Sequence, residues 1–239
     1  MAAQRRKVLI TGAAGRIGTA VREQWGERYQ LRLFDRVPIP EAEEVITADL
    51  TDFEAVRRAC EGMDAVLHLA ANPSAQATFE ELLGPNIIGT YNVFEAARQA
   101  GVRRMVFAST NRVVEGYGST YVTVDLPPRP RALYDVTKIF GEALGRYYAE
   151  FHGLSTVAVR IGGFQRPEWL RARGRSAPPQ WVSPRDLADL FARAIEVEGI
   201  TFAIVFGLSR QGASIRDLET GRRLLGYEPQ DDARELGAG

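Results

Sequence analysis

The chain has 239 residues, 45% of them hydrophobic, a formal net charge of zero and a single cysteine, Cys60. That length suits one α/β domain spanning 1–239, and no run approaches the ~20 apolar residues that cross a bilayer. The even charge gives no footprint for nucleic acid or an anionic membrane, and one cysteine excludes an internal disulfide or a cysteine metal cluster.

Apolar runs alternate with longer amphipathic stretches almost from end to end. The basic start, Met1 to Lys7, meets an apolar run far too short for a signal peptide, so a cytoplasmic location is expected and Lys7–Thr11 reads as a first strand. It runs into Thr11-Gly12-Ala13-Ala14-Gly15-Arg16-Ile17-Gly18, which opens a helix over Gly15–Trp25. In such a run the first glycine permits a tight turn, the second lets backbone approach a diphosphate, and the third allows close packing. The diphosphate then meets free N–H groups and the positive end of a helix dipole.

A second strand, Gln30–Asp35, ends on a carboxylate. There it can accept both hydroxyls of an adenosine ribose and repel a 2′-phosphate, which favours NAD over NADP. Arg16 and Arg36 work against this, since either could hold such a phosphate. After a third strand, Glu44–Ala48, Asp49-Leu50 is placed to meet the adenine ring, with a helix-capping role for Asp49 equally open. A helix over Asp52–Glu61 and a strand over Ala65–Ala70 follow. His68 in that strand reads as a satisfied near-core histidine, and His152 as the cationic end of a later helix; the two are too far apart to suggest a metal site.

Further on, Phe79–Ala100 reads as one long helix and Arg104–Ser109 as a strand that delivers Thr110-Asn111. Tyr134–Phe151 is a helix, Ser155–Ile161 a strand, Ser183–Glu196 a helix with Pro184 suited to its first turn, Phe202–Phe206 a strand and Ser214–Leu225 a helix. The residues after Gly226 read as a polar tail. Strands alternating with helices imply a doubly wound parallel sheet of about seven strands, a Rossmann fold with a small C-terminal substrate-binding elaboration. Two long loops, 111–131 and 162–180, interrupt the alternation, both after strand ends, where open α/β sheets bind ligands.

Tyr134-Asp135-Val136-Thr137-Lys138 sets a tyrosine and a lysine one helical turn apart. A phenol with a pKa near ~10 is a poor base at neutral pH; a nearby ammonium, with a positively charged nicotinamide, is expected to stabilise the phenolate. Of 30 basic residues only Lys7 and Lys138 are lysines. An ammonium retained at 138 in so arginine-rich a chain points to a compact, rotatable donor that can also bond a ribose. The hydroxyl of Thr110, after the strand, is placed to hold the substrate oxygen.

Thr11–Gly18, His68-Leu69-Ala70-Ala71, Asn86, Ser109-Thr110 and Tyr134–Lys138 together resemble the extended short-chain dehydrogenase/reductase family, which includes NAD-dependent epimerases and dehydratases. The resemblance implies Tyr134, Lys138 and Thr110 as catalytic residues. It implies an NAD site of Gly12, Gly15, Arg16, Ile17, Gly18, Asp35, Asp49, Leu50, Leu69, Ala70, Ala71, Asn86, Ser109, Tyr134, Lys138 and Ile161. The stretch after Lys138 leaves no room for the large part with which relatives hold nucleotide sugars, so a small free substrate is expected. Pro85–Asn92, Val106–Asn111 and Val159–Gly162 are similar to uronate dehydrogenases, and the ending Leu225–Asp231 to a haloarchaeal group that oxidises glucose 6-phosphate.

By that likeness Ser74, Thr110, Asn111, Arg112, Tyr134, Gly163 and Arg175 face a sugar acid or sugar phosphate, with Arg173 next in line and Arg166 and Arg171 in the same loop. Arg112 stands where uronate dehydrogenases have histidine, and Gly163 where they have serine. The implied reaction is oxidation at the anomeric carbon to a lactone. An epimerase or dehydratase is the alternative, and a non-catalytic NAD-binding regulator a more distant one. Relatives pair through two long helices, which implies a homodimer.

Overall fold

The computed structural model describes residues 5–172 and 178–236. Seven strands form one sheet in the order β3-β2-β1-β4-β5-β6-β9, with every neighbouring pair parallel. They are β1 (Lys7–Thr11), β2 (Gln30–Asp35), β3 (Val45–Thr47), β4 (Ala65–His68), β5 (Arg104–Thr110), β6 (Ser155–Ile161) and β9 (Phe202–Gly207). β4 and β5 are buried along their whole length, as strands covered on both faces must be.

One face is covered by α1 (Arg16–Trp25) and α7 (Pro184–Glu196), whose apolar residues join Val8, Ile10 and Val106. The other is covered by α2 (Phe53–Cys60), α4 (Gly89–Gln99) and α5 (Leu133–His152), around Leu9, Val66 and Phe107. Asp52 caps α2 by accepting from the Ala55 N–H at 3.0 Å, and Ser183 caps α7 ahead of Pro184. Strand order reverses between β1 and β4, so a crevice opens above their C-terminal ends. Among the described residues no helix is long and apolar enough to cross a membrane.

The expected long helix Phe79–Ala100 is interrupted. α3 (Phe79–Leu82) passes into a π-helical segment, Leu83–Ile88, before α4 begins. Pro85 has no N–H for the Glu81 carbonyl, so the ladder widens there, and the widened turn carries Asn86 inward. The expected helix Ser214–Leu225 also shortens to α8 (Glu219–Leu225). The segment before it is drawn into a bridge between Val122 and Arg216, with the Asp217 N–H donating to the Val122 carbonyl at 3.0 Å.

Loop 111–131 starts as a 3-10 helix, Asn111–Tyr117. Loop 162–180 holds β7 (Gly163–Phe164) and α6 (Pro167–Ala172), and β7 pairs with β8 (Trp181–Val182). Among the described residues, those after Gly226 are no free tail. Tyr227 is buried and donates to the Leu208 carbonyl, and Asp186 of α7 accepts from the Gln230 and Asp231 N–H groups.

α5 lies so close to the sheet that a Cβ on Gly141 would stand 2.1 Å from the Phe107 ring. Gly141→Ala is therefore expected to lower the unfolding free energy by about 1–3 kcal/mol through overpacking, read from urea midpoints at an unchanged m-value. An equally stable variant would show that the helix can move off Phe107 freely.

Candidate active site

The crevice at the strand-order reversal is a cleft of about 530 Å³, lined among others by Gly12, Gly15, Asp35, Asp49, Leu50, Leu69, Ala70 and Ala71. Gly12 has φ +72°, and a Cβ there would meet the Ala70 backbone nitrogen at 2.6 Å; only glycine fits so close to the loop after β4. A Cβ on Gly18 would strike the Gly12 carbonyl oxygen, so the third glycine closes the loop on itself. α1 has no side-chain cap at Gly15 and no acid in its first turn. Its first N–H groups are left for an anion at the cleft.

Asp35 is held at the rim by the Ala14 and Val37 N–H groups, at 2.9 and 3.1 Å. Asp52 takes the cap of α2, while Asp49 accepts from the N–H and hydroxyl of Thr51 at 2.9 and 2.7 Å, which holds its carboxyl below the usual range. Leu50 is held from behind by Asn92, whose amide donates to the Leu50 carbonyl at 2.9 Å. These features fit a dinucleotide: N–H groups for the diphosphate, a carboxylate for a ribose, and apolar walls for an adenine. Of the two arginines weighed against NAD, Arg36 lines the cleft, whereas Arg16 is exposed and is not among its lining residues. Ile17 packs against the core beneath.

Thr110 ends β5 opposite Ile161 of β6, and its hydroxyl accepts from the Arg112 N–H. Tyr134 and Lys138 project from the first turns of α5 and are both buried. The Lys138 Nζ lies 4.9 Å from the Phe107 ring centre and 5.9 Å from that of Tyr134. Burial pushes the Tyr134 phenol up to about 12; Asp135 adds to the rise, and Thr110 and Arg112 offset part of it. Burial likewise pulls the Lys138 amine down to about 7. His68, buried below, is lowered to about 3 by burial first and by Lys138 second, so it is neutral and shares a hydrogen bond with Thr11 at 2.7 Å.

In the chain alone, lysine does not acidify the tyrosine, because desolvation outweighs the attraction and favours the uncharged form of both groups.

Asn86 ties the site together. Its Oδ1 accepts from the Asn72 N–H at 2.8 Å, and its Nδ2 donates to the Asn72 carbonyl and to the Thr137 hydroxyl at 3.1 and 2.9 Å. The loop bearing Ser74 is thereby clamped to the helix bearing Tyr134; Asn72 in turn accepts from the Ser74 N–H.

The Ser109 hydroxyl turns inward and donates to Glu142 at 2.6 Å, so its side chain faces a buried Glu142–Arg160 pair rather than cofactor. Arg112 bonds Asp135 at 2.8 Å and reaches Glu115, so its charge is engaged at the start of α5 rather than offered to substrate. Asn111 is buried between Arg216 and Gln180. Gly163 is exposed beside the Gln180 backbone, and Arg166 pairs with Glu23 of α1. Arg173, Arg175 and the Arg171 side chain lie outside the described residues. Asn72, Thr137, Glu142 and Gln180 carry no local motif; their roles come from partners remote in sequence.

Residues 8–165 match the profile of the NAD dependent epimerase/dehydratase family. The chain is 39% identical to an NAD-dependent glucose-6-phosphate dehydrogenase of Haloferax volcanii, over 96% of this chain and 95% of that protein. It is 38% identical to a uronate dehydrogenase of Pseudomonas putida, over 97% and 87% of the two chains. Among solved structures it resembles a mutant uronate dehydrogenase from Agrobacterium tumefaciens complexed with NAD. That match has 33% identity and a TM-score of 0.85, covering 97% of this chain and 87% of the other.

The buried amine has a measurable consequence. Lys138 loses its proton at about 7 in the folded chain, against 10.5 ordinarily. Between those values the unfolded chain binds more protons, so stability rises with pH across that window and falls on acidification towards its lower end. Lys138→Met is expected to raise the urea midpoint at neutral pH and to flatten its rise towards pH ~10. Identical pH profiles for variant and parent would contradict a desolvated amine.

Proposed function

The chain belongs to the NAD dependent epimerase/dehydratase family, and we propose that it is a cytoplasmic dehydrogenase oxidising a small acidic sugar, a hexuronate, at its anomeric carbon to a lactone. The observation that carries this reading is the meeting of Thr110, Tyr134 and Lys138 at the end of β5, beside a cleft built for a dinucleotide. The uronate dehydrogenase relatives support the substrate class. The Haloferax volcanii relative supports a second reading, oxidation of glucose 6-phosphate, which would also need an anion-binding loop. An epimerase or dehydratase would use the same cleft without accumulating reduced cofactor.

Bound NAD would supply a hydride acceptor and, when oxidised, a positive charge. The chain's own residues do the rest. Gly12 and Gly15 would admit the diphosphate to the start of α1, Asp35 would accept the adenosine ribose hydroxyls, and Lys138 would donate to the other ribose. Thr110 donates to the anomeric oxygen and Tyr134 takes its proton. The phenol rests protonated at neutral pH, so it works as a base only where added positive charge offsets the cost of burial. Ser74 and one arginine of loop 162–180, Arg175, would hold the sugar's anionic end.

Two copies pair through α4 and α5 in this reading. Tyr91 and Tyr147 stand half exposed on these helices, and Phe151 is 73% exposed, an apolar strip that water would otherwise cover. Sedimentation is expected to give twice the 26.4 kDa chain mass, and Phe151→Asp with Tyr147→Asp to give a monomer. A wild-type monomer would remove the interface.

The activity is tested with uronates, glucose 6-phosphate and neutral aldoses, each with NAD⁺ and NADP⁺, by absorbance of the reduced cofactor. Net NADH with galacturonate or glucuronate is expected, with Tyr134→Phe lowering kcat by at least about 10²-fold while NAD binding persists. Net NADH with glucose 6-phosphate alone would favour the second reading. Sugar interconversion without net NADH would favour an epimerase.

A further inference from the structure

Beside Thr110 lies a chain of polar side chains, Arg216, Asn111 and Gln180, of which only Asn111 has a role above. Arg216, in the segment before α8, is fully buried. Its Nε donates to the Asn111 Oδ1 at 2.6 Å and its Nη1 to the Ile215 and Thr120 carbonyls, while its Nη2 has no partner among the described residues. Asn111 in turn donates through Nδ2 to the Gln180 Oε1 at 2.8 Å.

The direction of this chain follows from chemistry. A guanidinium has only donors, so Asn111 must turn its oxygen towards Arg216. Its nitrogen then faces away and needs an acceptor, which obliges Gln180 to offer Oε1. The Gln180 amide nitrogen is left with two N–H donors, and no described residue accepts from it.

Gln180 stands where those donors are useful. Its carbonyl accepts from the Gly163 N–H at 2.7 Å, and a Cβ on Gly162 would lie 2.0 Å from that carbonyl oxygen, so glycine is required for the approach. Gly163 has no side chain to offer a ligand, and Asn111 directly follows Thr110. Gln180 is thus set between the end of β6 and the catalytic end of β5. The guanidinium behind it is matched by no carboxylate among its hydrogen-bond partners.

We infer that Gln180 is a sugar-binding residue whose amide donates to an acceptor oxygen of the substrate's carboxylate or phosphate, and that Arg216 is a positioning residue fixing this orientation through Asn111. The inference rests on the sugar-dehydrogenase reading above and adds to it a second anchor, distinct from the loop arginines. Because Gln180 touches substrate and not cofactor, its loss weakens sugar binding alone.

Steady-state kinetics of wild type, Gln180→Ala, Gln180→Glu, Arg216→Gln and the Gln180→Ala/Arg216→Gln pair test it. A hexuronate, a hexose 6-phosphate and a neutral aldose are compared, with KM for NAD⁺ and thermal unfolding followed in parallel. Gln180→Ala is expected to raise KM for the preferred anionic sugar about five- to tenfold, the size of one lost hydrogen bond, with kcat, KM for NAD⁺ and Tm little changed. Gln180→Glu replaces the donors by a charge that repels the anion and raises that KM further, but not the KM for the neutral aldose. Arg216→Gln acts in the same direction and adds little in the Gln180→Ala background, since both remove one interaction.

An active wild type whose sugar KM is unmoved by Gln180→Ala and Gln180→Glu overturns the inference alone. Effects of Arg216 and Gln180 that multiply independently overturn the positioning role. If Arg216→Gln unfolds the chain, the two Gln180 variants decide. A wild type inactive on every sugar overturns the dehydrogenase reading, and this inference with it.

Discussion

A lysine amine buried under a tyrosine phenol is the constraint around which this site is arranged. Desolvation pushes the Tyr134 pKa up and the Lys138 pKa down, to about 12 and about 7, so near neutral pH the phenol is uncharged and the amine holds its proton only weakly. A site that stored a phenolate permanently would have to keep a buried charge, at a cost of several kcal/mol without full compensation. A protonated phenol avoids that cost. In the proposed reaction it would become reactive when an oxidised dinucleotide brings positive charge into the same pocket.

Such a pair works only if its distances are held, and the fold holds them from three directions. Asn86, carried inward by the π-helical turn at Pro85, clamps the loop after β4 to Thr137 between the tyrosine and the lysine. Glu142, two turns beyond Tyr134 on the same helix, accepts from Ser109 and pairs with Arg160, which fixes α5 to the strands bearing Thr110 and Ile161. Asp135 accepts from the Arg131 and Ala132 N–H groups and binds Arg112, pinning the first turn. The Asn86 and Glu142 clamps and the Arg112–Asp135 pair join segments apart in the chain, so preorganisation here is largely a property of tertiary structure.

That division also explains what could be read from the amino acids alone. β1, the glycine loop, α1 and β2 carry their signals locally, as apolar runs, glycine spacing and a terminal carboxylate, and the structure has them at the expected residues. Tyr134 and Lys138 were legible because one helical turn separates them. The partners of Arg112 and Ser109 had no local signal, because Asp135 and Glu142 sit on another element. The break in the long helix was visible in Pro85, but its outcome, an inward Asn86, depends on Asn72 and Thr137. Gln180 and Arg216 had no signal at all, since their link runs through Asn111.

The central claim is that the cleft switches its base on by receiving positive charge. Titration of Tyr134 by NMR of ¹³Cζ-tyrosine-labelled protein, assigned with Tyr134→Phe, reads this without turnover. The account predicts a phenol that stays protonated up to at least pH ~10 in the chain alone and with NADH, and whose pKa falls by more than about one unit with NAD⁺. The same titration curve in all three states, or a phenolate already present near neutrality without cofactor, would contradict it.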